Sequence, residues 1–319
     1  GVARGKLDYG GDGVFVGSCL IVKKDKIPWD ADNPAVVAVG VGGKDCNWTI
    51  LRHGEGIHCY VEKKKKEGNA DFGLVRYSGY WKNDQKNGKG REEYVNNEVY
   101  SGDFSKNQRE GYGIYITQDG DRYEGNWLNG KKEGEGTMHL SDGTSLLRGT
   151  WKNDQLFGDG TFVFQGKKLY EGNFTASLMD GEGIMYFTDG DIYTGHFREG
   201  EIEGNGLYTY KNGESYSGTF HHGVAHGKGL YRYENGDSYE GEFTRGKKDG
   251  QGKYSFASGE SYEGQVKEGK LHGVGVYNYL NGEKYHGEWY LGHKSGSGTY
   301  YFSDNSKEEG FWKDGTRIR

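Results

Sequence analysis

Proline is almost missing from this 319-residue chain, which has two, Pro28 and Pro34. Proline cannot donate to a strand ladder, so nothing after residue 34 interrupts one. Cysteine is as sparse. Cys19, Cys46 and Cys59 are odd in number and all lie early in the chain, which fits reduced thiols better than a disulfide framework. No stretch approaches 18 consecutive apolar residues, so no helix is expected to span a bilayer. The first 30 residues lack the charged-then-apolar order of a secretory signal, and the expectation is an intracellular protein, although residues could precede Gly1. An excess of positive charge is missing too: 41 Lys and Arg stand against 47 Asp and Glu, mixed along the chain. Nucleic acid needs a basic field and is not an expected partner.

Glycine and aromatic rings are abundant. There are 59 glycines and 15% aromatics against only 33% hydrophobic residues, so apolar contact must come from rings. From Tyr77 onward one phrase recurs: an aromatic, a glycine two positions on, an aromatic four positions on, and a Gly-x-Gly pair after that. It opens at Tyr77, Tyr100, Tyr123, Leu147, Tyr170, Tyr193, Tyr216, Tyr239, Tyr262, Tyr285 and Glu308, a period of 23 residues broken by one step of 24, from Tyr123 to Leu147. A fixed period over most of the chain means a repeat array, in which each unit buries its apolar face against its neighbours.

Within a repeat, apolar or glycine positions alternate with polar ones from Tyr239 to Phe243 and again from Gly250 to Phe256, the period of a strand. Each repeat is therefore a β-hairpin. Its first connection carries Gly246 or its equivalents Asp84, Asn107, Gly130, Asp154, Ser177, Gly200, Gly223, Gly269, Gly292 and Gly315, nearly all tolerant of positive φ. The second connection, as in Asp189-Gly190, Asn212-Gly213, Asn235-Gly236 and Asn281-Gly282, reads as a type I turn closed by a left-handed glycine. An odd period would swing the rings to alternate faces unless one connection shifts the register. A two-residue turn followed by a three-residue bulged turn supplies that shift, so Tyr239, Phe243 and Tyr254 are predicted on one face. The strand glycines then act as sockets for the rings. The fold class is all-β: an elongated, twisted single-layer antiparallel sheet of consecutive β-hairpins, roughly 95 Å long for ten hairpins.

Tyr123-Glu-Gly125-Asn-Trp127, Tyr239-Glu-Gly241-Glu-Phe243 and Tyr285-His-Gly287-Glu-Trp289, each followed by Gly-x-Gly, resemble MORN repeats (membrane occupation and recognition nexus). Ten complete units and an eleventh partial one, Glu308 to Trp312, occupy residues 77–319. Leu147, Val266 and Ser177 depart from the pattern. The resemblance implies a sheet used for protein contact, in cytoskeletal or ciliary (axonemal) assembly, or for placement at membranes. Some relatives join the repeats to a lysine methyltransferase or phosphoinositide kinase domain, and nothing here is long enough for either. Residues 1–76 read as divergent repeats with insertions that cap the array: His53 to Tyr60 resembles the second half of a repeat, Gly11 to Phe15 a more degenerate unit, and Ala35 to Val41 a buried strand.

Candidate chemistry is thin. His221, His222 and His226 have zinc-ligand character, but other repeats place Glu110, Glu133, Asp180 and Asp249 where His226 stands, so a solvated turn is the reading and no metal or cofactor is expected. Asp119-Gly-Asp121 and Asp189-Gly-Asp191 lack a full calcium loop. Gly223 to Gly229 has neither the spacing nor the hydroxyl of a phosphate loop. The many carboxylates repeat at surface positions without a glycosidase pair. No catalytic residue is assigned, and an enzyme is not expected. Asn47-Trp-Thr49 and Asn173-Phe-Thr175 match the glycosylation pattern by chance.

The expected function is a non-enzymatic scaffold. Its partner, a helical or extended segment or another copy of the chain, would lie along a semi-exposed aromatic track of Trp81, Phe104, Trp127, Trp151, Phe174, Phe197, Tyr208, Phe220, Tyr231, Phe243, Tyr254, Tyr277 and Trp289. The alternative is a peripheral tether to acidic phospholipid through Lys63, Lys64, Lys65 and Lys66. Repeats that bind choline or glucan on a bacterial surface fit less well, because a secretory signal and this regular phrase do not go with them.

Overall fold

The computed structural model describes the backbone of residues 13–16, 19–22, 37–40, 48–51, 54–59 and 73–318, and side chains from residue 73 onward except at position 75. The chain divides into two compact units, residues 1–157 with 162–166, and residues 158–161 with 167–319. Strand Gln155–Phe164 runs through the division. Among the described residues there is no helix.

In the first unit, strands Gly54–Cys59, Leu74–Lys82, Gln85–Tyr94, Val99–Ser105, Gln108–Ile116, Arg122–Leu128, Lys131–His139 and Leu146–Lys152 pair in chain order, each antiparallel to the last. Two separate hairpins precede them: Gly13–Val16 with Cys19–Val22, and Val37–Gly40 with Trp48–Leu51. The second unit repeats the scheme from Lys167–Thr175 to Thr316–Arg317. These are consecutive hairpins, as the periodicity predicts.

Both corners have the predicted geometry. At the first, two successive residues take positive φ, as in Arg245 (50°) and Gly246 (79°), which defines the type I′ turn whose twist matches the strands. Even Ala176 and Ser177 obey, at 50° and 66°. At the second, Phe256 N–H donates to Glu260 O and Gly259 N–H donates back to Phe256 O, closing a three-residue loop with Gly259 at φ 98°. The step of 24 arises here: between Leu140 and Ser145 the loop holds one extra residue, and Asp142 accepts from the N–H groups of Thr144 and Ser145. Together the corners put Tyr239 opposite Tyr254, and Tyr254 opposite Tyr262, on one face.

Across each unit the strand glycines pair directly, as in Gly229 with Gly241, Gly241 with Gly252, and Gly252 with Gly264. The result is a rib of bare backbone at right angles to the strands. A methyl group on Gly241 would meet the Tyr239 hydroxyl, Gly252 Cα and Gln251 O, each at 2.6 Å. The socket reading holds.

The sequence pattern did not reveal a bulge in the first hairpin of the repeats. Between the pairs Gly241/Gly252 and Phe243/Lys248, one residue, Glu242, faces three, Asp249, Gly250 and Gln251. Gly250 takes φ 120° there, and Glu242 Oε2 accepts from Gln251 N–H at 3.0 Å. The opening tyrosine reaches the same point: Tyr239 Oη donates to Glu242 O at 3.2 Å, and the equivalent bond forms at Tyr77, Tyr100, Tyr123, Tyr170, Tyr193, Tyr216, Tyr262 and Tyr285.

Candidate functional site

The ring-bearing face has two rows. The first consists of the opening tyrosine and the aromatic four residues later. Tyr193 lies edge-on to Phe197 at 5.2 Å and to Phe220 of the next repeat at 5.1 Å, and Tyr216 continues to Phe220 and Phe243. The same zipper runs Tyr77, Trp81, Phe104, Tyr100, Trp127, Tyr123, Trp151 in the first unit. Edge-to-face pairs at these distances stabilise beyond the area they bury, by about 0.5–1.5 kcal/mol.

This row corrects the sequence expectation. Trp81, Phe104, Trp127, Trp151, Phe174, Phe197, Phe220, Phe243, Tyr254 and Trp289 are not semi-exposed. All are buried, Tyr254 being the most accessible at 7%. Neighbouring repeats interleave their rings and so cover one another, which makes this row the core. Where Val266 replaces the ring it too is buried, and Tyr239 instead packs on Tyr254 at 4.7 Å.

The second row, beside the bulged turns, is half-exposed. In the second unit it runs from Phe187 to Tyr208 at 5.5 Å, then through Tyr210, Tyr231 and Tyr233, and from Tyr254 through Phe256, Tyr277, Tyr279 and Tyr300 to Phe302. Tyr208, Tyr231 and Tyr277 of the expected track belong here. Phe187, Tyr210, Tyr233, Phe256, Tyr279 and Phe302 were missed. Their signal was present, an aromatic at the residue that opens each bulged turn, but a ring beside a turn carries no periodicity of its own. Carboxylates pin this row: Tyr208 Oη donates to Asp191 at 2.7 Å, Tyr231 to Glu214 at 2.5 Å, Tyr277 to Glu260 at 3.1 Å and Tyr300 to Glu283 at 2.7 Å. Burial raises the pKa of each of these tyrosines, and the carboxylate acceptor raises it further.

Cations sit among the rings at one fixed repeat position. In the first unit Glu92 is buried and gathers Lys86 at 2.5 Å, Arg109 at 3.3 Å and the Tyr94 hydroxyl at 2.6 Å. In the second unit Lys248 Nζ lies 4.2 Å from the Tyr231 centroid and 4.8 Å from that of Tyr233, and Lys294 Nζ lies 4.7 Å from Tyr300 and 5.1 Å from Tyr279. Burial lowers the pKa of both lysines.

His221 and His222 are exposed and hydrogen-bond to Glu203 at 2.9 Å and Glu201 at 2.7 Å. Glu203, with Glu110, Glu133, Asp180 and Asp249, accepts a backbone N–H from the turn of the next repeat, which accounts for the polar residues at that place. Asp121 and Asp191 likewise accept from Ser141 and Lys211 N–H. Among the described residues no three His, Cys, Asp or Glu side chains converge to hold a metal. Lys63 to Lys66 lie outside the described residues.

A family model for the MORN repeat matches ten consecutive segments, residues 77–99, 100–122, 123–145, 148–166, 170–192, 193–215, 216–238, 239–261, 262–284 and 285–307. The chain belongs to the MORN-repeat family. MORN repeats form a non-catalytic module that serves in protein interaction. No curated protein sequence matches the chain. Among solved structures it is similar to the TCP domain of SAS-4 (dCPAP) from Drosophila melanogaster, determined with a proline-rich motif of Ana2, at 11% identity over 64% of this chain and 85% of that one, with TM-score 0.23. It is also similar to the wild-type TCP10 domain of Danio rerio CPAP, at 10% identity over 77% and 91%, TM-score 0.20, and to virginiamycin B lyase from Staphylococcus aureus, at 10% over 76% and 82%, TM-score 0.14. At these scores the likenesses do not extend to function.

Proposed function

We propose that this MORN-repeat chain is a scaffold whose partner, a helical or extended protein segment, lies along the half-exposed aromatic row of the second unit. The continuous run of rings from Tyr254 to Phe302 carries the reading. A row of accessible rings on a rigid sheet is the composition of a binding hot spot. We place the scaffold in a cytoskeletal or ciliary assembly, following the family. Residues 1–76 act as a divergent cap on the array: Gly54–Cys59 pairs with the first repeat through Gly54 opposite Trp81 and Gly56 opposite Gly79, the register used between repeats.

Cross-linking mass spectrometry on the native assembly tests this, paired with replacement of Tyr210, Tyr233 and Tyr279 by serine. Cross-links should flank the half-exposed row, and the triple variant should lose partner while keeping its strand circular dichroism. Cross-links confined to the opposite face, or full partner recovery by the variant, would overturn the reading.

A further inference from the structure

We infer that the aromatic row of the second unit selects an acidic protein segment, with two carboxylates about 19 Å apart seated on Lys248 and Lys294 and apolar side chains between them. This rests on the proposed docking face and names its partner's chemistry. The two lysines occupy the same repeat position, two repeats apart. Four strand spacings separate them, about 19 Å at ~4.8 Å each. Each ammonium is ringed by tyrosines, Tyr231, Tyr233 and Tyr239 at Lys248 and Tyr279, Tyr285 and Tyr300 at Lys294. Neither has a hydrogen-bond or ion-pair acceptor among the described residues.

The first unit shows what completes such a site. There Glu92 places its carboxylate on Lys86 and Arg109, whose charges also face rings. At the position of Glu92 the repeats around Lys248 and Lys294 carry Tyr231, Tyr254, Tyr277 and Tyr300. The internal carboxylate is gone, and the cation keeps three unspent donors in a partly desolvated box, where an incoming carboxylate is held more strongly than at an open surface. Leu271 stands at the same position between them and supplies the apolar middle. An anionic bilayer is the weaker fit, because Glu214, Glu260 and Glu283 flank the boxes and the chain carries net charge -6.

The probe is a fluorescent polyproline peptide carrying two glutamates six residues apart, about 19 Å at ~3.1 Å per residue, with leucine midway, used as a rigid ruler against the full chain. Fluorescence anisotropy should show saturable binding. That binding should weaken about tenfold or more when glutamine replaces glutamate, when the glutamates are moved to half the spacing, or in Lys248→Gln and Lys294→Gln. Lys248→Arg and Lys294→Arg should retain it, which separates loss of charge from loss of fold. Equal binding by the glutamine peptide would overturn the acidic selection and leave ring docking standing. Absence of saturable binding to the folded chain, or equal loss in the arginine and glutamine variants, would overturn it as well. So would capture by phosphatidylserine vesicles, but not phosphatidylcholine vesicles, that the lysine variants abolish while the peptide stays unbound. Native cross-links that avoid this face would remove the docking reading itself.

Discussion

The hydroxyl of Tyr262 donates a 2.7 Å hydrogen bond to the carbonyl of Gln265, where its strand faces the bulge of the next one. The ring therefore does two things at once: its face covers Gly264 and Gly275, and its hydroxyl satisfies a carbonyl at an irregularity in the ladder. This explains why the opening residue is tyrosine and not phenylalanine.

Tyr262→Phe keeps the ring and orphans that carbonyl. Stability should fall by about 1–2 kcal/mol, measured by urea unfolding. An unchanged midpoint would mean that the hydroxyl is idle.

Gly241 and Gly246 should respond differently to a side chain. Gly241→Val forces a β-branched group into the Tyr239 hydroxyl and the facing backbone and should cost about 1–3 kcal/mol. Gly246 has open space around its Cβ position and only its φ of 79° to protect, and Asn107 and Asp154 hold that conformation in other repeats. Gly246→Asn should therefore shift stability by less than about 1 kcal/mol. Parallel denaturation curves compare the two.

Glu92→Gln strips the negative charge from a buried cluster and leaves Lys86 and Arg109 facing each other. The side chains of Glu92 and Lys86 are 6% and 11% exposed, so solvent cannot compensate, and a loss of about 3 kcal/mol is expected. Lys89→Gln breaks an exposed pair with Asp103 and should cost no more than about 1 kcal/mol. Thermal melts of both variants, at low and high salt, distinguish the two kinds of pair.

The buried tyrosines predict alkaline unfolding. Burial pushes Tyr170, Tyr193, Tyr216, Tyr239, Tyr262 and Tyr285 up from 10 to about 12. The folded state keeps its protons where the unfolded chain loses them, so their contribution is complete below pH 10 and disappears as pH rises towards 12. Circular dichroism and tyrosinate absorbance should change together in that window. Tyrosinate appearing without loss of strand signal would contradict it.

The register logic was legible in the sequence because it is local. Asp189-Gly190 and Arg245-Gly246 dictate their own turns through allowed φ, and an odd period with two kinds of turn leaves one face for the rings. The glycine sockets follow from the same count. The sequence pattern could not show which rings would be covered. Phe197 and Tyr208 look alike as aromatics in alternating strands. Phe197 is buried because Tyr193 and Tyr170, one repeat back, close over it, while Tyr208 stands beside a turn with solvent at its edge. That difference depends on side-chain reach between repeats, as do the bulge at Gly250 and the seat of Lys248 among three rings. The sequence by itself determined period, turns and face, through backbone rules acting over a few residues. Tertiary packing alone decided which rings form the core and which remain to meet a partner, because burial is settled by the neighbouring repeat.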